Sequence, residues 1–73
     1  MLVKHNTYEI SLYNSEVRDL VKAGQSHKNF NDNWAEQRYI EIIATSEEYA
    51  YIKAERKYPK EKGFVYVSII QIR

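Results

Sequence analysis

Residues 38–48 read RYIEIIATSEE, and they contain the clearest structural boundary in the chain. Residues 38–45 are rich in β-branched side chains, which favours a β-strand. Because alternate side chains of a strand point to opposite faces, one face would carry Ile40, Ile42 and Ala44 and the other Tyr39, Glu41 and Ile43. Thr45 then precedes Glu48 by three residues, which is the spacing of a capping box at a helix N-terminus. The pattern predicts a strand followed by a helix that begins at about Ser46.

The predicted helix ends near Tyr58, because Pro59 disfavours helical geometry in the residue before it. Residues 60–63, KEKG, then turn the chain. The following residues 64–72, FVYVSIIQI, are rich in β-branched and aromatic side chains and predict another strand. The C-terminal half therefore reads as strand, helix, strand.

The N-terminal part predicts one further strand and one further helix. Residues 7–13 alternate between two faces with the period of a half-buried strand. Asn14 or Ser15 can cap the helix that follows, because a short side-chain oxygen accepts from the free N–H groups of the first turn. Gly24 would end this helix, since glycine tolerates a positive φ.

Residues 25–33 consist mainly of turn-forming residues and predict a loop, whereas residues 34–38 fit either the next strand or a short helix. No internal repeat or linker divides the chain, so we expect residues 1–73 to form a single domain. The predicted order is β-α-β-α-β, which makes this a small α/β protein of the α+β kind. Its three-stranded sheet would carry two helices on one face, leaving the other face open to water or to a partner.

The composition excludes several classes of site. The chain has no cysteine, so it forms no disulfide, thiolate zinc site or thiol nucleophile. With only two glycines it cannot build a glycine-rich phosphate loop, and His5 and His27 lack the spacing of metal ligands. We therefore expect no metal and no cofactor.

Membrane and secretion signals are also missing from the pattern. No apolar run approaches the roughly 20 residues that a membrane-spanning helix needs. The first six residues, MLVKHN, lack the apolar stretch of a signal peptide. We expect a cytoplasmic protein with no membrane partner.

The predicted loop holds the only set of residues that suggests catalysis. Ser26, His27 and Asp32 could in principle supply a nucleophile, a base and an orienting carboxylate. A polar loop does not fix their geometry, however, and a chain this short has little volume for a substrate pocket. The sequence therefore predicts a protein that is not an enzyme and has no small-molecule substrate.

Two surfaces could bind a partner. The uncovered sheet face would present Tyr13, Tyr39 and Ile43, together with one of two alternating sets from the last strand: Phe64, Tyr66 and Ile70, or Val65, Val67 and Ile69. The outer face of the second helix would present Tyr49 and Ile52 among Lys53 and Arg56. The candidate partner-binding residues are Tyr13, Tyr39, Ile43, Tyr49, Ile52 and Tyr66. Scattered exposed apolar residues are also common on surfaces without any partner.

The C-terminal third of the chain is basic and contains Lys53, Arg56, Lys57, Lys60 and Lys62. Such a cluster could contact phosphates, with Tyr39 or Tyr66 stacking on bases. Lysines near the C-terminus of a helix also favour the helix dipole without any ligand.

The leading hypothesis is a small non-catalytic protein-interaction module that forms a homodimer through its open sheet face or an edge strand. It would also bind another protein, as a bacterial or phage-encoded regulator or inhibitor does. The alternative is a small protein that binds RNA or single-stranded DNA through the basic C-terminal third.

Overall fold

The computed structural model describes residues 4–73 and contains a three-stranded antiparallel sheet and two α-helices. The elements are β1 (Asn6–Asn14), α1 (Ser15–Lys22), β2 (Arg38–Ala44), α2 (Glu47–Lys57) and β3 (Phe64–Gln71). Short 3-10 helices lie at Asp32–Ala35 and Lys60–Lys62. The predicted fold class and the order β-α-β-α-β are confirmed. No helix within residues 4–73 combines the length and the apolar character that crossing a membrane would require.

The first strand lies in the middle of the sheet, whose order is β2-β1-β3. It pairs antiparallel with both neighbours, so β2 and β3 run in the same direction on either side of it. The connection through α2 must therefore pass over β1. As a result, β2 and β3 are both edge strands.

A β-bulge in β3 changes which of its side chains face the core. Ser11 pairs with Ser68 but Leu12 pairs with Tyr66, so Val67 is an extra residue without a partner in β1. The alternation consequently shifts by one residue at the bulge. Phe64, Tyr66 and Ile69 lie on the covered face, whereas Val65, Ser68 and Ile70 lie on the other face. Each of the two alternating sets expected from the sequence is therefore partly wrong.

The core lies between α2 and one face of the sheet. Ile10 and Leu12 of β1 are completely buried there, and Ala50 and Ala54 of α2 face the sheet with no exposed surface. Two small residues allow the helix backbone to approach the sheet closely, which favours dense packing.

The segment between α1 and β2 completes the covering layer. Phe30 and Trp34 pack their rings edge-on against buried Phe64, with ring centroids 5.0 Å and 5.2 Å away. Trp34 belongs to the first 3-10 helix, so the short-helix alternative is correct for the start of residues 34–38, while Arg38 begins β2. The helix α1 packs beside this segment and near the start of β3.

Asn14 caps α1, since its side-chain Oδ1 accepts from the backbone N–H of Val17 at 3.0 Å. At the other end, Gly24 has a φ of 73°, and the N–H of Gln25 donates to the carbonyl of Leu20 at 2.8 Å. This is the Schellman arrangement, in which a left-handed glycine ends the helix. Gly24 ends α1 as the sequence predicts.

The start of α2 differs in detail from the prediction. Ser46, not Thr45, is the N-cap residue, and its Oγ accepts from the N–H of Tyr49 at 3.1 Å. The residue three positions after this cap is Tyr49, so the capping box expected from Thr45 and Glu48 does not form. Glu47 and Glu48 instead occupy the first turn, where they favour the positive end of the helix dipole.

Candidate functional site

The sheet face opposite α2 is largely uncovered and carries both polar and large apolar side chains. This open face comprises alternate residues of the three strands: Thr7, Glu9, Ser11 and Tyr13 of β1, Tyr39, Glu41 and Ile43 of β2, and Val65, Ser68 and Ile70 of β3. Tyr39, Ile43 and Ile70 are 63%, 60% and 53% exposed. Tyr39 and Ile43 lie on the edge strand β2 and Ile70 on the edge strand β3, with Glu9 and Glu41 between them.

Two carboxylates lie side by side on the open face. Glu9 pairs directly with Glu41 across β1 and β2, and on its other side it pairs with Ile70. Like charges directly opposite each other on neighbouring strands repel. Within residues 4–73 no cation forms an ion pair with either glutamate, and the ion pair found there joins His27 to Glu16. Among the residues that the structure describes, no ion pair therefore compensates this repulsion.

Small side chains occupy the middle of the open face. The hydroxyl groups of Ser11 and Ser68 are 2.6 Å apart and hydrogen-bonded, and Ser11 is buried by its neighbours. The register places Tyr39 beside Ser11, so an exposed aromatic ring borders this small-residue floor. A partner side chain could approach the backbone closely at this position.

Arg18 of α1 stands at one end of the open face. Its guanidinium carbon lies 3.6 Å from the ring centroid of Tyr13, a cation–π contact. The Arg18 Nε also donates to the carbonyl of Ala35 at 2.7 Å, which fixes the side chain. The four N–H groups on the two Nη atoms make no hydrogen bond within the described residues. Neither Arg18 nor the pair of Glu9 and Glu41 was identified from the sequence, because only the strand register and the path of α1 bring these side chains to one surface.

The outer face of α2 carries the second predicted surface. Tyr49 and Ile52 are exposed as predicted, and with Ser46 and Glu48 they line a shallow cavity of about 200 Å³. The side chain of Lys53 points away from this surface to the edge of β2, where its Nζ donates to the backbone carbonyl of Ile43 at 2.8 Å. A lysine placed over an edge strand hinders the addition of a further strand.

Tyr66 does not belong to the open face, which corrects the prediction. The bulge places it on the covered face, where its hydroxyl donates to the carbonyl of Tyr58 at 2.7 Å. Its ring packs edge-on against Tyr51 with centroids 5.1 Å apart. Burial raises the pKa of Tyr66 well above that of an exposed tyrosine. This side chain is therefore part of the packing and is not available to stack on a base.

The predicted phosphate-binding residues are dispersed. Lys53 lies at the edge of β2, whereas Lys60 and Lys62 belong to the second 3-10 helix. The Nζ of Lys60 lies 5.1 Å from the ring centroid of Tyr51, and a hydrogen bond with Tyr51 raises the pKa of this lysine. Lys57 similarly lies over the ring of Tyr58, at 5.6 Å. Several of these cations thus contact the chain's own groups.

The loop residues do not form a catalytic arrangement. Ser26 Oγ donates to Asp32 Oδ2 at 3.2 Å, whereas His27 bonds to neither of them. The Nδ1 of His27 accepts from the backbone N–H of Asn29, so the proton of the neutral ring is on Nε2, which is 3.3 Å from Glu16 Oε1. Across residues 4–73 no group of three histidine, aspartate or glutamate side chains is placed to hold a metal ion.

Comparisons with protein-family models, with curated proteins and with solved structures found no match to this chain.

Proposed function

We propose that the chain is a non-catalytic protein-interaction module that works as a homodimer, with the open face as the dimer interface. The observation that carries this proposal is the distribution of large apolar side chains. Within residues 4–73 the buried apolar residues are Tyr8, Ile10, Leu12, Val17, Ala44, Ala50, Ala54 and Phe64, of which three are alanines. In the same range nine large hydrophobic residues are exposed, among them Tyr39, Ile43, Val65 and Ile70 of the open face.

The surface area supports the same proposal. The chain exposes 5331 Å², whereas a compact monomer of its mass, 8.7 kDa, exposes about 4,700 Å². The excess of roughly 600 Å² approaches the area of about 800 Å² that each partner buries in a standard protein interface. Tyr39, Ile43, Val65 and Ile70 place part of this excess on the open face.

The open face is a better interface than the strand edges. Lys53 covers the Ile43 carbonyl at the edge of β2, and the bulge at Val67 disturbs the edge of β3. Both features are ways in which proteins prevent strand addition at a sheet edge. In this proposal the outer face of α2, with Tyr49 and Ile52, remains available to a different protein, as a small regulator or inhibitor requires.

The test compares two isoleucines that are similarly exposed, Ile70 at 53% on the open face and Ile52 at 42% on α2. Each is changed to glutamine, and the molar mass is measured by light scattering after size exclusion over a range of concentrations. We expect a dimer for the native chain and for Ile52→Gln. Ile70→Gln should raise the dimer Kd by about 100-fold, because a symmetric interface loses the buried side chain twice.

A native chain that stays monomeric at several hundred micromolar would contradict the proposal. A dimer lost in Ile52→Gln and kept in Ile70→Gln would move the interface to α2. Circular dichroism of both variants checks that the fold is intact.

Nucleic-acid binding is the alternative proposal, because five cations lie between residues 53 and 62. It predicts material that absorbs at 260 nm, elutes with the protein at low salt and separates at high salt. The same chromatography, on protein purified without nuclease, distinguishes the two. Reversing Arg56 and Lys57 to glutamate should abolish such binding and leave a sheet-face dimer intact.

A further inference from the structure

We infer that the two copies pack about a twofold axis that crosses the strands at the level of Ser11, so that Arg18 of each copy meets Glu9 of the other. This inference rests on the proposed dimer and specifies its geometry. The reasons lie in the charges of the open face and in the order of residues along β1.

An interface across the open face must neutralise Glu9 of the central strand, which has Glu41 beside it. These carboxylates are cross-strand neighbours without an ion-pair partner in the described part of the chain. Covering them with apolar surface alone would remove their hydration and leave their repulsion in place, which is strongly unfavourable. The second copy must therefore bring a cation to this position.

Arg18 is the cation that the open face itself provides. It is held on the Tyr13 ring and by the Ala35 carbonyl, so little conformational entropy remains to be lost when it binds. The N–H groups of its Nη atoms can donate to a carboxylate in the paired geometry that arginine favours.

The spacing along β1 selects the axis. Glu9, Ser11 and Tyr13 follow each other on one face at intervals of about 6.7 Å. A twofold axis that crosses the strands at Ser11 reverses the strand direction and exchanges the positions of Glu9 and Tyr13. The Arg18 guanidinium, stacked on Tyr13, is then placed over Glu9 of the second copy. An axis parallel to the strands would instead place Glu9 over Glu9 and increase the repulsion.

The same operation gives consistent apolar contacts. Ile70 is the cross-strand neighbour of Glu9, and Val65 is the cross-strand neighbour of Tyr13. Because the axis exchanges the positions of Glu9 and Tyr13, Ile70 of one copy faces Val65 of the other. Tyr39 is the cross-strand neighbour of Ser11, through which the axis passes, and it therefore faces Tyr39 of the second copy. Tyr39, Val65 and Ile70 thus cover one another across the axis.

The test is a charge exchange, with the dimer Kd measured by sedimentation for Glu9→Arg, Arg18→Glu and the double variant. We expect each single change to raise Kd by at least about tenfold, because a desolvated pair is lost at two symmetric positions. The double variant should have a lower Kd than either single variant, since the reversed pair restores the attraction, while the contacts of Arg18 with the Tyr13 ring and the Ala35 carbonyl stay lost. Glu48→Arg on α2 is the matched control and should leave Kd unchanged.

A second measurement does not depend on the stability of these charge variants. The chain has no cysteine, so Tyr39→Cys treated with an added oxidant should give a covalent dimer, whereas Tyr49→Cys on α2 should not. A native dimer that is insensitive to both single charge changes, and in which Tyr39→Cys fails to cross-link, would overturn this geometry while leaving the proposed dimer intact. A native monomer would overturn both.

Discussion

Asn14 connects the end of β1 to two other parts of the fold. Its Oδ1 caps α1, and its Nδ2 donates to the carbonyl of Lys62 at 3.0 Å. The next residue, Ser15, donates its backbone N–H to the carbonyl of Gly63 at 2.8 Å. The turn before β3 is thus held against the start of α1, which requires a close approach of the backbone at Gly63.

The two glycines of the chain give a direct test of that close approach. Gly63 has a φ of 100°, and a Cβ there would lie 2.7 Å from Asn14 Oδ1 and 2.9 Å from Glu16 Cγ. Gly24 also has a positive φ, but a Cβ there would meet nothing within 4 Å. We expect Gly24→Ala to cost about 1–2 kcal/mol from backbone conformation alone. Gly63→Ala should cost more by about 1–3 kcal/mol, because it also displaces the Asn14 cap.

Urea unfolding at a single protein concentration measures both variants. Equal losses for Gly63→Ala and Gly24→Ala would show that the Asn14 contact contributes nothing beyond the glycine conformation. The Asn14→Ala variant, combined with each glycine change in turn, provides a control. The loss of unfolding free energy caused by Asn14→Ala should be additive with that of Gly24→Ala. Combined with Gly63→Ala, the total loss should be smaller than the sum of the two single losses.

Tyr66 should make stability depend on pH under alkaline conditions. Its pKa is raised in the folded protein, because burial disfavours the phenolate. The unfolded chain releases this proton from about pH 10 upward, while the folded chain retains it. Since the folded state then binds more protons, stability must fall as the pH rises above about 10.

Unfolding monitored between pH 8 and pH 11.5 should show this decline for the native chain. Tyr66→Phe should be less stable at pH 8, because it loses the hydrogen bond to the Tyr58 carbonyl, but its decline above pH 10 should be shallower. Tyr49→Phe on α2 is the control, since Tyr49 is 48% exposed and lies outside the proposed dimer interface. Equal slopes for all three proteins would contradict a protonated Tyr66 in the fold.

At the scale of single elements, the start of α2 distinguishes two capping arrangements. The structure assigns the cap to Ser46, whose Oγ accepts from the N–H of Tyr49. Ser46→Ala should therefore reduce stability by about 1 kcal/mol. Thr45→Ala should change it by less than about 0.5 kcal/mol, because that hydroxyl does not cap the helix. Chemical denaturation of the two variants measures both losses. A larger loss for Thr45→Ala than for Ser46→Ala would show that Thr45 and Glu48 form the capping box after all.

The elements show which features the sequence determines locally. Periodicity, Pro59 and Gly24 were sufficient to place all three strands and both helices within a few residues. The bulge at Val67 could not be predicted, because the run of β-branched residues in β3 is apolar on both sides and carries no mark of the extra residue. That single shift is the reason Tyr66 was assigned to the wrong face.

The candidate site depends on long-range pairing to a greater extent. Tyr39 and Ile43 were predictable as exposed residues because β2 alternates regularly. The proximity of Glu9 to Glu41 follows from the register between two strands that are separated by α1 and a long loop. Local patterns do not determine such a register, and neither does the composition of the loop.

At the scale of the whole molecule, the chain is less compact than most domains of its length. Its radius of gyration is 14.0 Å, whereas about 11 Å is expected for a compact domain of this length. One layer of helix and loop covers one side of a thin sheet, and the completely buried side chains are few. A chain of this size without cysteine can gain stability by association.

Stability should consequently rise with protein concentration. If the folded state is a dimer and the unfolded state a monomer, mass action favours folding as the concentration increases. For two chains of this length the unfolding enthalpy is about 100 kcal/mol, so the thermal midpoint should rise by about 5 °C for each tenfold increase in concentration. Scanning calorimetry from 10 µM to 1 mM measures this slope, and Ile70→Gln should reduce it while Ile52→Gln should not. A midpoint that is independent of concentration in the native chain would mean that the thin sheet and its single covering layer are stable alone.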